Sequence, residues 1–161
     1  MEVKDHILFD GCKPVAYRPT PNIGGTLNPG YIVMHYDAAS NATSAIHWMM
    51  NKESKVSAHL HISREGVVTQ LAPFNRVCWH AGKSSWKGLT GMNSYSIGIE
   101  LQNNGKEAYT AIQLEVAKSV CLTLAKTYPI KEVVGHSDIA PGRKVDPGAH
   151  FPMATFKHLV K

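Results

Sequence analysis

The sequence predicts an α/β domain. Two short runs of bulky residues, Tyr31–Tyr36 (YIVMHY) and Ser96–Gln102 (SIGIELQ), have the composition and alternation of sheet strands. A longer stretch, Thr110–Tyr128, repeats its apolar residues at helical spacing. At 161 residues the chain has room for one sizeable core and little else, so a single domain spanning 1–161 is expected.

Residues 1–30 are expected to be an extended lead-in segment packed on that domain, because VAYRPTPNIGGTLNP (Val15–Pro29) is rich in the residues that favour turns and extended backbone. YIVMHY follows as a buried strand ending near His35. Thr43–Met50 then places Ile46, Met49 and Met50 at helical spacing behind Ser and Thr as candidate caps, and the methionines read as core.

Val56–Leu71 reads as a β-hairpin. VSAHLHIS alternates Val56, Ala58, Leu60 and Ile62 against Ser57, His59, His61 and Ser63, and Arg64-Glu65-Gly66 supplies the turn. His59 and His61 thus share the less apolar face, as a polar strand face or as a metal pair. Cys78–Gly91 (CWHAGKSSWKGLTG) carries Trp79, His80 and Trp86 among glycines and small residues. Such rings either offer flat surfaces to a ligand or anchor the loop to the body.

In SIGIELQ, Ile97, Ile99 and Leu101 face one way and Gly98, Glu100 and Gln102 the other. A carboxylate in so apolar a strand needs a partner or a purpose, so Glu100 is either salt-bridged or a general base. Thr110 and Gln113 form a capping box; Ile112, Val116, Ala117, Val120, Cys121 and Leu124 mark the apolar face; Pro129 closes the helix. Glu132–Gly135 is a short strand delivering His136, and Met153–Lys161 a last helical turn or two.

Composition narrows the function classes. The net charge of +5 favours an anionic partner, but the 17 Lys and Arg are dispersed, so no nucleic-acid partner is expected and a carboxylate-bearing polymer would be attracted just as well. No apolar run has the length needed to cross a bilayer, so no membrane insertion is expected. The N-terminal MEVKDHILFDG lacks the apolar core of a secretory signal, and synthesis in the cytoplasm is the reading. Cys12, Cys78 and Cys121 are widely spaced and odd in number, which argues for reduced, mostly buried thiols.

The richest stretch is Gly135–Gly148, GHSDIAPGRKVDPG. It holds an imidazole, a cation and a carboxylate, and Pro141 and Pro147 restrict the loop between them. His136 and Asp146 are ligand types that zinc accepts, and His35 at a strand end is the first candidate to join them. Each is equally a satisfied structural residue when taken alone.

Six motifs in order, IVMHY, VSAHLHISREG, WHAG, SIGIELQ, YTAIQ and GHSDIAPGRKVDPG, make the chain resemble the zinc-dependent N-acetylmuramoyl-L-alanine amidases of the type-2 amidase family, from about Phe9 to Phe156. That family includes cytoplasmic recycling amidases and phage endolysins and is related to peptidoglycan recognition proteins. The resemblance implies a mixed central β-sheet flanked by α-helices, with Zn2+ held by His35, His136 and Asp146. It implies Glu100 and Lys144 as catalytic and His80 as substrate-binding. Some relatives use cysteine as third ligand; Asp146 resembles the recycling branch. His61 stands where relatives commonly have an apolar residue, and HYDAAS departs from several branches.

The implied reaction is hydrolysis of the amide between N-acetylmuramic acid and L-alanine in peptidoglycan or a muropeptide. Two imidazoles and a carboxylate leave the ion positive, with a fourth position open. Glu100 would take a proton from the attacking water and pass it to the departing amine, with Lys144 beside the oxyanion. Two rivals are a non-haem Fe(II) oxygenase, which gives Glu100 and Lys144 no task, and a non-catalytic peptidoglycan-binding module, which would not need every position filled. Size and basic charge favour a phage-type lysis enzyme over a recycling amidase acting on soluble anhydro-muropeptides.

Overall fold

The computed structural model describes residues 1–160. Its centre is a six-stranded mixed sheet. In chain order the strands are β1 (Ala16–Tyr17), β2 (Tyr31–Tyr36), β3 (Leu60–Ile62), β4 (Val68–Gln70), β5 (Ser96–Leu101) and β6 (Glu132–Gly135). Across the sheet they run β6-β2-β5-β3-β4-β1. The pairs β6/β2, β2/β5, β5/β3 and β1/β4 are parallel, and only the hairpin β3/β4 is antiparallel. Helices α1 (Ala42–Met50), α2 (Ala111–Thr127), α3 (His136–Ile139) and α4 (Met153–Lys157) flank it.

Alternation along the central strands decides what each face does. Ile32, Met34, Ile97, Ile99, Leu101 and Val133 form the main core with Ala117, Val120, Cys121 and Leu124 of α2. Tyr31, Val33 and Val134 point to the other face and pack with Ala81, Met92 and Ile139. On that second face the carboxyl ends of β2, β5 and β6 lie side by side, which is where parallel sheets gather ligands.

Helix α2 differs from its predicted pattern in two ways. Thr110 caps it, its hydroxyl accepting the Gln113 N–H, but the Gln113 side chain does not reach back to complete the box. It is drawn inward instead, donating to the Ile62 and Gln102 carbonyls at 3.1 and 3.0 Å where β3 and β5 end. Ile112 is 47% exposed because this first turn overhangs the hairpin turn at Gly66 and does not reach the core. Helix α1 is capped by Asn41, whose side chain accepts from Ser44 N–H, ahead of the Ser and Thr residues expected to serve.

The lead-in is more than a surface covering. Glu2–Lys4, Ile7–Asp10 and Lys13–Pro14 form a small antiparallel sheet, β1 joins the central sheet at its edge, and Ile23–Thr26 pairs with Arg76–Cys78. Leu8 and Leu27 are fully buried in the main core. Gln70 fastens the segment by accepting Leu8 N–H and donating to the His6 carbonyl. Cys78 and Cys121 are buried thiols, both pushed up to about 12 by burial, while Cys12 is exposed.

The expected polar face of the hairpin is corrected by its surroundings. Both sides are covered, so His59 and His61 are 0% and 1% exposed, and among the described residues neither belongs to a group able to hold a metal. His61 donates to the Asp37 carboxylate at 2.8 Å. His59 accepts the Gly98 N–H through Nδ1 and donates from Nε2 to the Arg76 carbonyl.

Burial lowers the His59 pKa from 6.5 to about 4. Between those values the unfolded chain binds a proton that the folded chain does not, so stability rises with pH in that window and is lost as pH falls through it. His59 alone makes the fold about 3 kcal/mol less stable at pH 4 than at pH 7. In His59→Asn, whose side-chain oxygen stands in for Nδ1, urea midpoints measured from pH 7 to pH 4 are expected to decline less steeply. An unchanged slope would assign the acid sensitivity to other groups.

Candidate active site

Strand pairing sets the first distance in the site. His35 on β2 and Glu100 on β5 are register partners across the parallel pair, and both side chains point to the second face. The His35 Nδ1 lies 3.9 Å from Glu100 Oε1. One strand over, β6 ends at Gly135 and His136 opens α3. Asp138 holds that corner by accepting the Gly135 N–H at 2.8 Å.

The loop after α3 then folds back. Ser137 N–H donates to the Asp146 carbonyl at 2.9 Å, and the Tyr109 hydroxyl donates to the Pro147 carbonyl at 2.6 Å. Asp146 is thereby brought over the strand ends. Its Oδ2 sits 3.0 Å from His35 Nδ1 and 3.1 Å from His136 Nδ1, and the two Nδ1 atoms are 3.0 Å apart. The three residues predicted as ligands converge, and all are buried.

The donor set fits a small cation. The His136 Nε2 lies 2.9 Å from the Ala81 carbonyl, which only accepts, so this nitrogen carries the ring proton and Nδ1 presents a lone pair. That lone pair, the second Nδ1 and a carboxylate oxygen crowd one buried point. Such an arrangement is unfavourable without positive charge between them. Imidazole nitrogen with carboxylate oxygen is a zinc-type set.

Electrostatics around the point are lopsided. Burial raises the Asp146 carboxyl, but its two imidazole neighbours, His136 and His35, outweigh it and hold the group below the ordinary aspartate range. Glu100 goes the other way: burial, then the charges of Asp146 and Asp37, push it well above the usual carboxylate range, with Lys144 opposing. The Glu100 Oε2 is buried without a hydrogen-bond partner. An unsatisfied acceptor beside a donor cluster is what a general base awaiting water would present.

These groups floor a cleft of about 600 Å3. Lys144 is exposed at its rim, and Trp48, Trp79, Val56 and Val145 supply apolar walls. Trp48, 57% exposed, was not singled out by sequence; its position off the Ile46, Met49 and Met50 stripe was the available signal. The two readings of the aromatic loop divide between residues. Trp79 lines the cleft, whereas Trp86 anchors the loop by donating to Glu132 at 2.7 Å. His80 borders the cleft but is only 8% exposed, with Nδ1 3.0 Å from His35 Nε2.

The chain is similar to known proteins in both sequence and fold. Residues 25–149 match the family described as N-acetylmuramoyl-L-alanine amidase. The 1,6-anhydro-N-acetylmuramyl-L-alanine amidase AmpD of Escherichia coli K12 is 44% identical over 108 residues, 66% of this chain and 59% of that protein. The chain thus matches well under two thirds of that relative's length. A crystal structure of a selenomethionine AmpD derivative superposes with a TM-score of 0.82 and 31% identity, covering 100% of both chains. The E. coli amidase AmiD, solved with anhydro-N-acetylmuramic acid-L-Ala-D-γ-Glu-L-Lys, gives a TM-score of 0.72 at 28% identity, covering 97% of this chain and 66% of that one. Because the family match takes in β2 through the Asp146 loop, and with them every residue gathered at the strand ends, the chain belongs to the N-acetylmuramoyl-L-alanine amidase family.

Proposed function

We propose that the chain is a zinc-dependent amidase that cleaves the bond between the lactyl group of N-acetylmuramic acid and L-alanine, with soluble anhydro-muropeptides as its substrates. The observation that carries this is the convergence of His35, His136 and Asp146 beside the unpartnered Glu100 Oε2. His35, His136 and Asp146 would hold the ion. When bound there, zinc supplies a Lewis acid that polarises the scissile carbonyl and makes water easier to deprotonate.

The remaining chemistry belongs to the chain. Glu100 takes the proton of the attacking water at Oε2, and the burial that raises its pKa makes it the stronger base for this task. The same carboxyl then gives the proton to the departing L-alanine nitrogen. Lys144, at the rim, brings an ammonium group to the developing oxyanion. The apolar walls exclude bulk water, and the cleft volume suits a small soluble ligand.

Size and charge favoured a lysis role, but the relatives weigh the other way. AmpD carries the anhydro-muramyl bond in its name, and the AmiD complex holds an anhydro-muropeptide. A cytoplasmic enzyme acting on released fragments is the reading we adopt. Among the described residues no helix is long and apolar enough to cross a membrane. The test compares turnover of soluble anhydro-muropeptides and of intact sacculi by zinc-loaded protein. At least about tenfold faster cleavage of the soluble substrate is expected, a barrier difference of about 1.4 kcal/mol. Preference for sacculi would reinstate lysis, and cleavage of neither would reject the amidase assignment.

A further inference from the structure

We infer that the loop Trp79–Gly82 braces the metal centre from behind, with His80 as a positioning residue that acts through His35 and not as a substrate contact. The inference rests on the zinc reading for its consequence, though not for its geometry. Two consecutive residues of this loop each hold one ligand imidazole by its far nitrogen. His80 Nδ1 lies 3.0 Å from His35 Nε2, and the Ala81 carbonyl lies 2.9 Å from His136 Nε2.

The surroundings of His80 determine where its proton sits. Its Nε2 faces the Ser96 carbonyl and the Ser96 hydroxyl oxygen, each at 3.4 Å. The carbonyl only accepts, and the hydroxyl spends its own proton on the Met92 carbonyl at 2.6 Å. His80 Nε2 is therefore the protonated nitrogen, and Nδ1 accepts. It follows that His35 donates from Nε2 and keeps its Nδ1 lone pair directed at Asp146 and His136. Both ligand rings are set in the same tautomer by neighbours in the chain.

The brace is itself fixed. The Asn93 side-chain oxygen accepts both the His80 and Ala81 N–H groups, at 3.1 and 2.7 Å. Arg143, from the loop that carries Asp146, donates to the Ala81 and Lys83 carbonyls at 2.6 and 2.7 Å. Gly98 on β5 lets the His80 ring lie against the strand, since a Cβ there would come within 2.4 Å of His80 Cγ. With both ring nitrogens engaged and 8% exposure, His80 has no donor or acceptor left for a muropeptide.

The test measures metal affinity and proton position as well as turnover. In the apo protein, two-bond nitrogen–proton NMR correlations are expected to find His35, His80 and His136 all protonated at Nε2. A His35 protonated at Nδ1 would overturn the inference without any variant. His80→Ala is expected to weaken zinc binding by about 10- to 100-fold in competition with a chelating dye. His80→Asn, which keeps an acceptor near the Nδ1 position, should recover most of that loss, and both should leave KM near the wild-type value. Wild-type zinc affinity in His80→Ala together with a KM raised more than about tenfold would make His80 a substrate contact and sink the brace. If wild-type protein bound no zinc, the functional reading would fall, while the His35 tautomer in wild type and His80→Ala would still decide the brace.

Discussion

Glu100→Gln is expected to lower kcat by about 10²- to 10⁴-fold, the range associated with loss of a positioned general base. Zinc content and the folded structure should be unchanged. The substitution removes a carboxylate that burial and two neighbouring acidic groups already disfavour, and whose Oε2 has no partner. Thermal stability is therefore expected to stay level or rise, as when strain stored at a functional site is relieved. Steady-state kinetics on a muropeptide, with metal analysis and a thermal melt on the same sample, check all three. Turnover within a few-fold of wild type would remove Glu100 from the proton-transfer step.

Asp146→Asn is expected to abolish turnover by a different route. Its neutral amide keeps the size of the carboxylate but removes the anion that balances the site. Loss of a residue that merely orients a ligand costs about 10- to 100-fold in affinity, so loss of a ligand itself should exceed about 100-fold. Added zinc should raise the melting temperature of the wild type and not of Asp146→Asn, since an ion that binds only the folded state stabilises it by mass action. Equal shifts in both proteins would place the ion elsewhere and leave the three converging side chains without the role given to them.

The parts of the fold that sequence revealed are those whose pattern is local. The buried strand Tyr31–Tyr36, the alternating Ser96–Leu101 and the run Glu132–Gly135 stand where composition and period put them. Two of the short strands before Gly30 were hidden because their partners are distant: Ile23 pairs with Cys78, and Ala16 with Thr69. Alternation identified His59 and His61 as facing together but carries no information on what covers a face. The capping-box pattern at Thr110 and Gln113 was half right, because two carbonyls from other elements compete for the glutamine.

The site divides along the same line. His35, Glu100, His136 and Asp146 were legible through ordered motifs, and the structure gathers them. The surroundings of His80 were not, since they are defined by the far nitrogen of His35, by Ser96 and by the bare backbone of Gly98. Nothing in the string WHAG states which way the ring turns.

The register between the strand bearing His35 and the strand bearing Glu100 has a consequence for how this scaffold can diversify. Adjacent strands are spaced about 4.8 Å apart by their hydrogen bonds. The interval from Glu100 to His35 is thus a lattice constant of the sheet. Selection cannot tune it by small steps, because sliding one strand by a residue would turn every side chain to the opposite face. Variation on this architecture is accordingly easier at the parapets around the cleft than in the spacing of these two side chains.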